Sequence, residues 1–351
     1  MLLIHHFNLT HFQNDTRYYP LLQTYLLAEF ALYIGDIFQI LFFIWVVLSA
    51  RQFHVNFTYI LVYLYGIHVV DDVAILVMRI QMFNSIDDHH LTSNPNFLYL
   101  MNISVFAMLT AMCIMPFLIL ERCFATIFLS NYETKPRKYI SLILLLILGI
   151  FGYFACVHVQ ESANIVPIVV LIMSLNTVAL GVNMYLKYYN RKQHQNFHIG
   201  NSQYSLAKRF QISENIRTLH MLNLIIFYMG CMNFLVVISV MISGFRGLSP
   251  EQQAVCSIVL NVSVFVYSYS LSHIIACCCD KWKRHLETTM RKVGCSKNVV
   301  QVVPLRDTFG TEMTVKVSAD SHFRTLRSTW NVSAKATMEN NADYAMEDYQ
   351  I

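Results

Sequence analysis

The sequence FLYLMNISVFAMLTAMCIMPFLIL, residues 97–120, contains no Asp, Glu, Lys, Arg or His. As an α-helix with a rise of 1.5 Å per residue, this stretch would be roughly 36 Å long, which is enough to cross the hydrocarbon core of a bilayer. It is followed directly by Glu121 and Arg122. We therefore predict a membrane-spanning helix that ends in an acid–arginine pair.

Six further apolar runs of similar length lie along the chain of 351 residues. Hydrophobic residues make up 56% of the chain and charged residues 13%, whereas soluble domains typically hold about 25% charged residues. This composition excludes a soluble protein and predicts an all-α integral membrane protein, a seven-transmembrane helix bundle in a lipid bilayer, with no nucleic acid as a partner. The seven predicted spans are residues 28–50, 57–83, 97–120, 139–159, 165–186, 219–243 and 253–277.

Lysine and arginine are distributed unevenly between the two sides of the predicted bundle. The connections after the first, third and fifth spans and the residues just after the seventh carry most of them, whereas the opposite side carries only Arg17 and Arg246. Because positive charge near span ends stays on the cytosolic side, we expect the N-terminus outside and the C-terminus in the cytosol. Residues 1–27 then form an extracellular segment, in which Asn8 and Asn14 lie in glycosylation sequons.

Ionisable side chains lie inside the first two predicted spans. Glu29 and Asp36 share one face of the first span, and His68, Asp72 and Arg79 form a stripe on the second. Because each such group costs about 2.5–3.5 kcal/mol in hydrocarbon, they should face protein or water, with Arg79 extending outward. This pattern predicts a polar site for a ligand or an ion. The structural alternatives are a Glu29 in the headgroup region, an Asp36 that satisfies a neighbouring helix, and a buried Asp72–Arg79 charge pair.

Two polar residues of the third span extend this prediction. Asn102 and Thr110, eight residues apart, mark a helix face that can join the same interior. Asp71, in contrast, is turned about 100° from Asp72 on its own helix. The candidate ligand-binding residues are therefore Asp36, His68, Asp72, Arg79, Asn102 and Thr110.

A charged cytosolic surface is predicted below the third and sixth spans. Residues 205–217 keep an apolar stripe at helical spacing and should form a helix that continues into the sixth span. In the resting form, Arg122 is predicted to pair with Glu121 or with Glu214. The alternative is that Arg122 only anchors its span at the headgroups. The candidate residues for coupling to a partner are Glu121, Arg122, Arg209, Glu214 and Arg217.

The region after the seventh span is predicted to lie under the membrane. Residues 278–295 combine an apolar stripe that includes Trp282 with a basic side, as in an amphipathic interfacial helix. Residues 296–351 then form a polar cytosolic tail, which is expected to be disordered. Cysteines beside such a helix are either palmitoylation sites or packing residues. The candidates are Cys277, Cys278 and Cys279.

Two stretches of the chain carry motifs that are specific to one family. The first contains Glu121-Arg122, Ala125-Thr126 and Tyr132-Glu133, and the second is LAKRFQISENIR, residues 206–217. With the seven spans, they resemble the nematode chemosensory serpentine receptors, most closely class epsilon, which are G-protein-coupled receptors. The resemblance implies a chemoreceptor in the plasma membrane of sensory neurons, with a small-molecule chemical ligand and a heterotrimeric G protein as partners. The rhodopsin-like pattern is missing, because the sixth span lacks Pro and Trp and the seventh lacks Asn-Pro-x-x-Tyr.

Two other function classes are open at this stage. The ionisable residues of the first two spans also suit a ligand-gated channel or a transporter, although no repeat relates the two halves of the chain. An intramembrane metal hydrolase would need a common site for histidines, but His68, His158 and His273 lie at different predicted depths. We therefore expect a receptor and not an enzyme, with no metal and no cofactor.

Overall fold

A computed structural model describes residues 18–50, 53–84, 93–128, 137–162, 165–199, 206–243 and 249–278, and the single positions 282, 287, 288 and 291. In these parts of the chain the regular structure is helical, without a β-strand. The helices are α1 Tyr18–Ala50, α2 Val55–Asn84, α3 Pro95–Met112, α4 Ile114–Ile127, α5 Lys138–Ser162, α6 Val166–Ile199, α7 Leu206–Ser243 and α8 Pro250–Cys278.

Seven of these helices, all except α4, are long and apolar enough to cross a membrane. The short helix α4 continues the third crossing after α3. In an apolar stretch of 18 residues from each span, only 28% to 56% of the residues are buried inside the bundle. Side chains such as Phe38, Leu142 and Phe227 are 66% to 70% exposed. Such an outer surface is unfavourable in water and suits lipid acyl chains. The predicted all-α seven-transmembrane bundle is confirmed.

The first and last spans close the bundle into a ring. Tyr33 and Phe43 of α1 contact Phe265 and His273 of α8 in the same order, so these two helices run parallel. A salt bridge described below joins the start of α1 to the end of α2, so that pair runs antiparallel. The third span lies against most of the others, with α3 packing on α2 and α5 and α4 packing on α6 and α7.

The third span is interrupted at Cys113, between α3 and α4. Pro116 explains the break, because it lacks the N–H that would bond to the Met112 carbonyl and its ring would clash with that carbonyl. The side-chain amides of Asn176 on α6 and Asn233 on α7 donate to the Met112 carbonyl at 3.2 and 3.4 Å. The expectation of one uninterrupted helix across this span is therefore wrong at one turn. Two other spans satisfy the carbonyl that the proline releases.

Helices α6 and α7 extend well beyond a bilayer core. They contain 34 and 38 residues, which correspond to about 51 and 57 Å at 1.5 Å per residue, whereas the hydrocarbon core is about 30 Å thick. Helix α7 begins at Leu206 and is continuous, so residues 206–217 run into the sixth span as the apolar stripe indicates. The end of α6 and the start of α7 lie beside the end of α4.

Candidate functional site

Three carboxylates come together in the middle of the bundle. Asp36 of α1 lies close to Asp72 of α2, and Asp71 lies beside Asp72. All three residues are only 1% to 2% exposed. On α3, the Ser104 hydroxyl donates a hydrogen bond to Asp71 Oδ1 at 2.5 Å. We call Asp36, Asp71 and Asp72 the central acidic cluster.

Polar side chains of α2 and α8 surround the central acidic cluster. The hydroxyl of Ser268 lies close to Asp36, and His68 packs edge-on against Tyr267 with ring centroids 5.4 Å apart. Among the described residues, none is in hydrogen-bonding geometry with the Asp36 oxygens, His68 Nε2, or the hydroxyls of Ser268 and Ser272. Burying such groups without partners costs about 1–3 kcal/mol each, so the region favours the binding of a further polar or charged group.

Arg79 pairs with Glu29 on the neighbouring helix. Its Nε and Nη2 donate to the two carboxylate oxygens at 2.9 and 3.1 Å, and the Tyr25 hydroxyl donates to the same carboxylate at 3.1 Å. The prediction that Arg79 extends outward is wrong, as is the alternative of an Asp72–Arg79 pair. Seven residues place Arg79 about 10 Å along the helix from Asp72, whereas the antiparallel α1 brings Glu29 level with it.

Asn102 and Thr110 lie on the side of α3 that packs against α5. A Cβ added at Gly152 of α5 would overlap the Thr110 hydroxyl, and the Cys156 thiol donates to the Asn102 carbonyl at 3.5 Å. The expectation that Thr110 joins the interior of the first two spans is therefore wrong. Ser104 takes that place, because six residues rotate it about 120° around the helix from Thr110.

The acid–arginine pair at the end of the third span is formed within α4 itself. Arg122 Nε and Nη2 donate to the two carboxylate oxygens of Glu121 at 2.5 and 2.6 Å. Both residues are buried, and the guanidinium also lies 4.9 Å from the centre of the Phe57 ring. Of the two predicted partners, Glu121 is the one observed. The alternative of a headgroup anchor is wrong, because Arg122 is only 5% exposed.

Three polar residues connect α4, α6 and α7 beside this pair. The Asn215 amide donates to the Thr126 hydroxyl at 2.8 Å and to the Asn190 side-chain oxygen at 3.4 Å. The Asn190 amide donates to the Thr126 hydroxyl at 3.4 Å. We call these residues the Thr126–Asn190–Asn215 triad. Thr126 and Asn215 come from the two motif stretches of the sequence, which therefore touch in the folded chain.

Sequence reasoning did not select any member of the triad as a site residue. Thr126 and Asn215 were inside the quoted motifs, but a motif does not say which residues of it meet. Asn190 follows the fifth apolar run in a polar segment, where it reads as an exposed residue, yet it is 0% exposed. The length of α6 is the signal that would have found it, since a helix continuing past the membrane keeps one face against its neighbour.

Helices α6 and α7 make two more polar contacts along their shared face. The Asn183 amide donates to the Asn223 side-chain oxygen at 3.3 Å. Lys187 Nζ and His220 Nδ1 are 3.3 Å apart at an exposed position. These contacts join only α6 and α7, whereas the triad also includes the end of the third span.

Several predicted residues belong to parts of the chain that the structure describes little or not at all. Arg217 is exposed on α7, and Cys277 is exposed near the end of α8. Trp282, from the predicted interfacial helix, is buried with its ring 5.8 Å from that of Phe53. The helix at 278–295 stays a prediction. The candidates whose side chains lie outside the described part are Asn8, Asn14, Arg209, Glu214, Cys278 and Cys279.

The three histidines considered for a metal site lie in three separate surroundings. His68 contacts Tyr267, and His273 contacts Tyr269 with ring centroids 5.0 Å apart. His158 lines a groove of about 450 Å³ between α5 and α6, away from the central acidic cluster. In the described parts of the chain, no group of three His, Cys, Asp or Glu residues could hold a metal ion. These histidines therefore do not form a common zinc site.

Comparison of the sequence with known proteins shows which family it is similar to. The model of the Sre G protein-coupled chemoreceptor family matches residues 2–331. Serpentine receptor class epsilon-12 of Caenorhabditis elegans is 44% identical over 339 residues, which are 94% of this chain and 99% of that protein. Serpentine receptor class epsilon-13 of the same organism is 23% identical over 330 residues, 88% of this chain and 91% of that protein. The similarity therefore runs through all the helices described above.

Proposed function

The chain belongs to the Sre family of G-protein-coupled chemoreceptors, and we propose that its cue binds beside the central acidic cluster while the ends of α4, α6 and α7 engage the G protein. It is a multi-pass protein of the plasma membrane that acts in chemosensory signalling.

The orientation of the chain supports this division of roles. Lysines and arginines concentrate on the side that holds the end of α4, the end of α6 and the start of α7, in accord with a cytosolic location. The N-terminus is then outside, and the Glu29–Arg79 pair lies on the outer side of the central acidic cluster. A cue that enters from outside would therefore meet this pair before it reaches the carboxylates.

The ligand site rests on one observation, the concentration of buried polar groups without partners among α1, α2 and α8. Asp36, His68, Asp72, Ser268 and Ser272 all contribute such groups in the described structure. Binding sites for small molecules combine a largely apolar lining with a few polar groups that fix the orientation of the ligand. Asp36, His68 and Asp72 are the candidates that fit this pattern.

The other ligand candidates would have different roles. Arg79 would fix α1 against α2 through Glu29 and would not be available to a ligand. Thr110 would control how closely α3 packs on α5.

The contacts at the cytosolic end support the proposal that the described bundle is in the resting state of the receptor. Activation of such a bundle would separate the ends of the third, fifth and sixth spans to admit a helix of the G protein. The Thr126–Asn190–Asn215 triad connects these three ends by hydrogen bonds. Arg122 is held by Glu121 and would become available for coupling when the ends move apart. Arg209, Glu214 and Arg217, on α7, would then contribute to the same face.

Two modifications complete the proposal. Asn8 and Asn14 lie in sequons on the extracellular segment and would carry glycans. Cys277 is exposed near the end of α8, next to a basic segment that begins at Lys281, and would be acylated together with its neighbours. Mass analysis after treatment with a glycosidase or with hydroxylamine would detect the two modifications separately.

A second-messenger assay in cells that express the full chain would test the proposed function. We expect a panel of small volatile and polar compounds to include a cue that changes the messenger level in a concentration-dependent way. The response should disappear when the G protein is blocked, and it should weaken at least tenfold in Asp36→Asn and Asp72→Asn. A cue-dependent ion current that persists without a G protein would instead support a ligand-gated channel.

A further inference from the structure

A line of aromatic rings joins the chain after α8 to the acid–arginine pair. The centroid of the Trp282 ring lies 5.8 Å from that of Phe53, which in turn lies 5.0 Å from that of Phe57. The Phe57 ring faces the Arg122 guanidinium, whose central carbon is 4.9 Å from the ring centroid. We call Trp282, Phe53 and Phe57 the aromatic bridge. It connects the segment after the seventh span, the connection before α2, the start of α2 and α4.

The aromatic bridge is part of the packed core at the cytosolic end. Trp282 stands between Lys281 and Lys283 in a basic stretch of the sequence, yet it is 1% exposed. Phe57 is 0% exposed, and Phe53 packs against the same core as these two rings. Because packed interiors leave few voids, a change in one of these rings is felt by its neighbours.

The orientation of Arg122 is not explained by α4 alone. Consecutive residues are about 100° apart around a helix, so their side chains leave the helix in different directions. The Arg122 guanidinium nevertheless makes two hydrogen bonds to Glu121. Phe57, on another helix, lies against the same guanidinium. A cation is attracted to the face of an aromatic ring, and more strongly where water is excluded, so Phe57 stabilises this orientation.

We propose that Phe57 is a positioning residue that holds Arg122 on Glu121, and that Phe53 and Trp282 keep the Phe57 ring in place. The segment after the seventh span thereby takes part in holding the arginine. The effect on signalling rests on the proposed function, because that function assigns the coupling role to Arg122. The contact between Phe57 and Arg122 does not depend on it.

The second-messenger level without a cue, normalised to receptor at the cell surface, measures the effect on signalling. Phe57→Leu keeps an apolar side chain but removes the ring. It should raise basal signalling about 3- to 30-fold, which corresponds to the roughly 0.6–2 kcal/mol of a cation–π contact. Phe57→Tyr keeps the ring face and should change basal signalling by less than about twofold. Trp282→Leu should raise it less than Phe57→Leu, because it acts through two further rings.

The chain offers matched controls for both ring types. Trp45 and Phe227 are 48% and 66% exposed on the outer surface of the bundle. Trp45→Leu and Phe227→Leu therefore remove the same kinds of ring away from Arg122, and they should leave basal signalling unchanged. If Phe57→Leu does not reach the cell surface, the comparison of Trp282→Leu with Trp45→Leu decides the question.

A second measurement detects the Phe57–Arg122 contact without a G protein. The purified full-length chain in lipid nanodiscs is unfolded thermally with Phe57 or Leu at position 57. The comparison is repeated in a background in which Glu121→Gln and Arg122→Gln replace the charge pair by neutral side chains. Phe57→Leu should lower the unfolding temperature more in the chain that keeps Arg122, because only that chain contains the cation.

The outcomes separate this inference from the proposed function. Equal lowering in the two backgrounds would show that Phe57 contributes only apolar packing, and it would overturn the inference. Basal signalling that rises as much in the controls would overturn it too. If Trp282→Leu alone keeps the basal level, the part that concerns the segment after the seventh span is wrong.

Two further results tell the failures apart. A chain that responds to a cue while Phe57→Leu and Trp282→Leu keep the basal level would retain the proposed function, and the inference would fail. A chain that never activates a G protein, but in which the charge pair alters the effect of Phe57→Leu, would contradict the proposed function. It would leave the positioning of Arg122 by Phe57 in place.

Discussion

In the middle of the bundle, carboxylates and hydroxyls from three helices are buried with few hydrogen bonds, whereas at the cytosolic end side-chain donors are bonded to side-chain acceptors on α4, α6 and α7. Asp36 and Ser268 illustrate the first region. Glu121 with Arg122 and Asn215 with Thr126 illustrate the second. Hydrogen bonds that join three helices stabilise one arrangement of those helices, while a region with unsatisfied groups gains stability when something binds.

Because of this difference, mutations in the two regions should have opposite effects on signalling. Removing a group from the cytosolic network should loosen the resting state and raise signalling without a cue. Removing a group from the central acidic cluster should leave the resting state intact and reduce the response to a cue.

The largest effect is expected at the buried Glu29–Arg79 pair, which joins the first two spans. Arg79→Met would leave Glu29 buried without its partner and should reduce the free energy of unfolding by about 3–5 kcal/mol. Thermal unfolding in nanodiscs and the amount of receptor at the cell surface would measure the loss.

The matched control combines Arg79→Met with Glu29→Gln. The double variant should recover most of the loss, because neutral replacement of a buried ion pair is often tolerated. Equal destabilisation in the single and double variants would mean that the size of Arg79, and not its charge, matters.

A smaller effect is expected at the Thr126–Asn190–Asn215 triad. Asn215→Ala removes two hydrogen bonds that join three spans, each worth about 0.5–1.5 kcal/mol. If these bonds exist only in the resting state, a net loss of about 1–2 kcal/mol would lower the population ratio of resting to active receptor roughly 5- to 30-fold. Second-messenger level without a cue, normalised to receptor at the cell surface, would report the change.

Two variants show whether the connection to α4 is responsible. Thr126→Val keeps the side-chain shape and should raise basal signalling in the same direction as Asn215→Ala. His220→Ala removes an exposed contact between α6 and α7 alone and should leave it unchanged. Basal signalling that rises equally in His220→Ala would show that general loosening, and not the triad, sets the resting state.

An effect of about 1 kcal/mol is expected at the break of the third span. Asn233→Ala removes one hydrogen bond to the Met112 carbonyl and should lower the free energy of unfolding by about this amount. In a Pro116→Ala background the same change should cost less, because the restored N–H would bond to that carbonyl. A double-mutant cycle on unfolding temperatures would measure this coupling, and additive effects would contradict it.

The smallest effect is expected at Glu214. Arg122 already makes two hydrogen bonds to Glu121, so Glu214→Gln should change basal signalling by less than about twofold, which corresponds to about 0.4 kcal/mol or less. Glu121→Gln serves as the comparison and should raise basal signalling more. The reverse order would make Glu214 the principal partner of Arg122 in the resting cell.

The fold followed from the sequence because seven apolar runs of membrane length admit few other arrangements. The burial of Asp36, His68 and Asp72 also followed, since ionisable groups in a span must avoid lipid. Their partners did not follow. Whether Arg79 meets Asp72 or Glu29 depends on how far the antiparallel helices α1 and α2 are shifted along their axes. The amino-acid sequences of the two helices do not specify that shift.

Other features were missed for a different reason. Pro116 stands in the printed sequence and predicts a break four residues earlier, so this part of the third span was predictable from the chemistry of proline. The rotation of α3 was not, because Ser104, Asn102 and Thr110 are equally acceptable inward-facing residues until the neighbours are known. For Arg122, the sequence left two partners open, Glu121 and Glu214, because a helical-face criterion does not select the consecutive residue Glu121 that the structure shows.

The interrupted third span also bears on how the protein is made. Its Met112 carbonyl is bonded by Asn176, 64 residues later, and by Asn233, 121 residues later. At about 5–20 residues per second, the second asparagine is synthesised roughly 6–24 s after the carbonyl. Because an unpaired backbone carbonyl is costly in hydrocarbon, the third span would reach its final position only once the sixth has entered the membrane. Assembly order during translation is thus set by one proline.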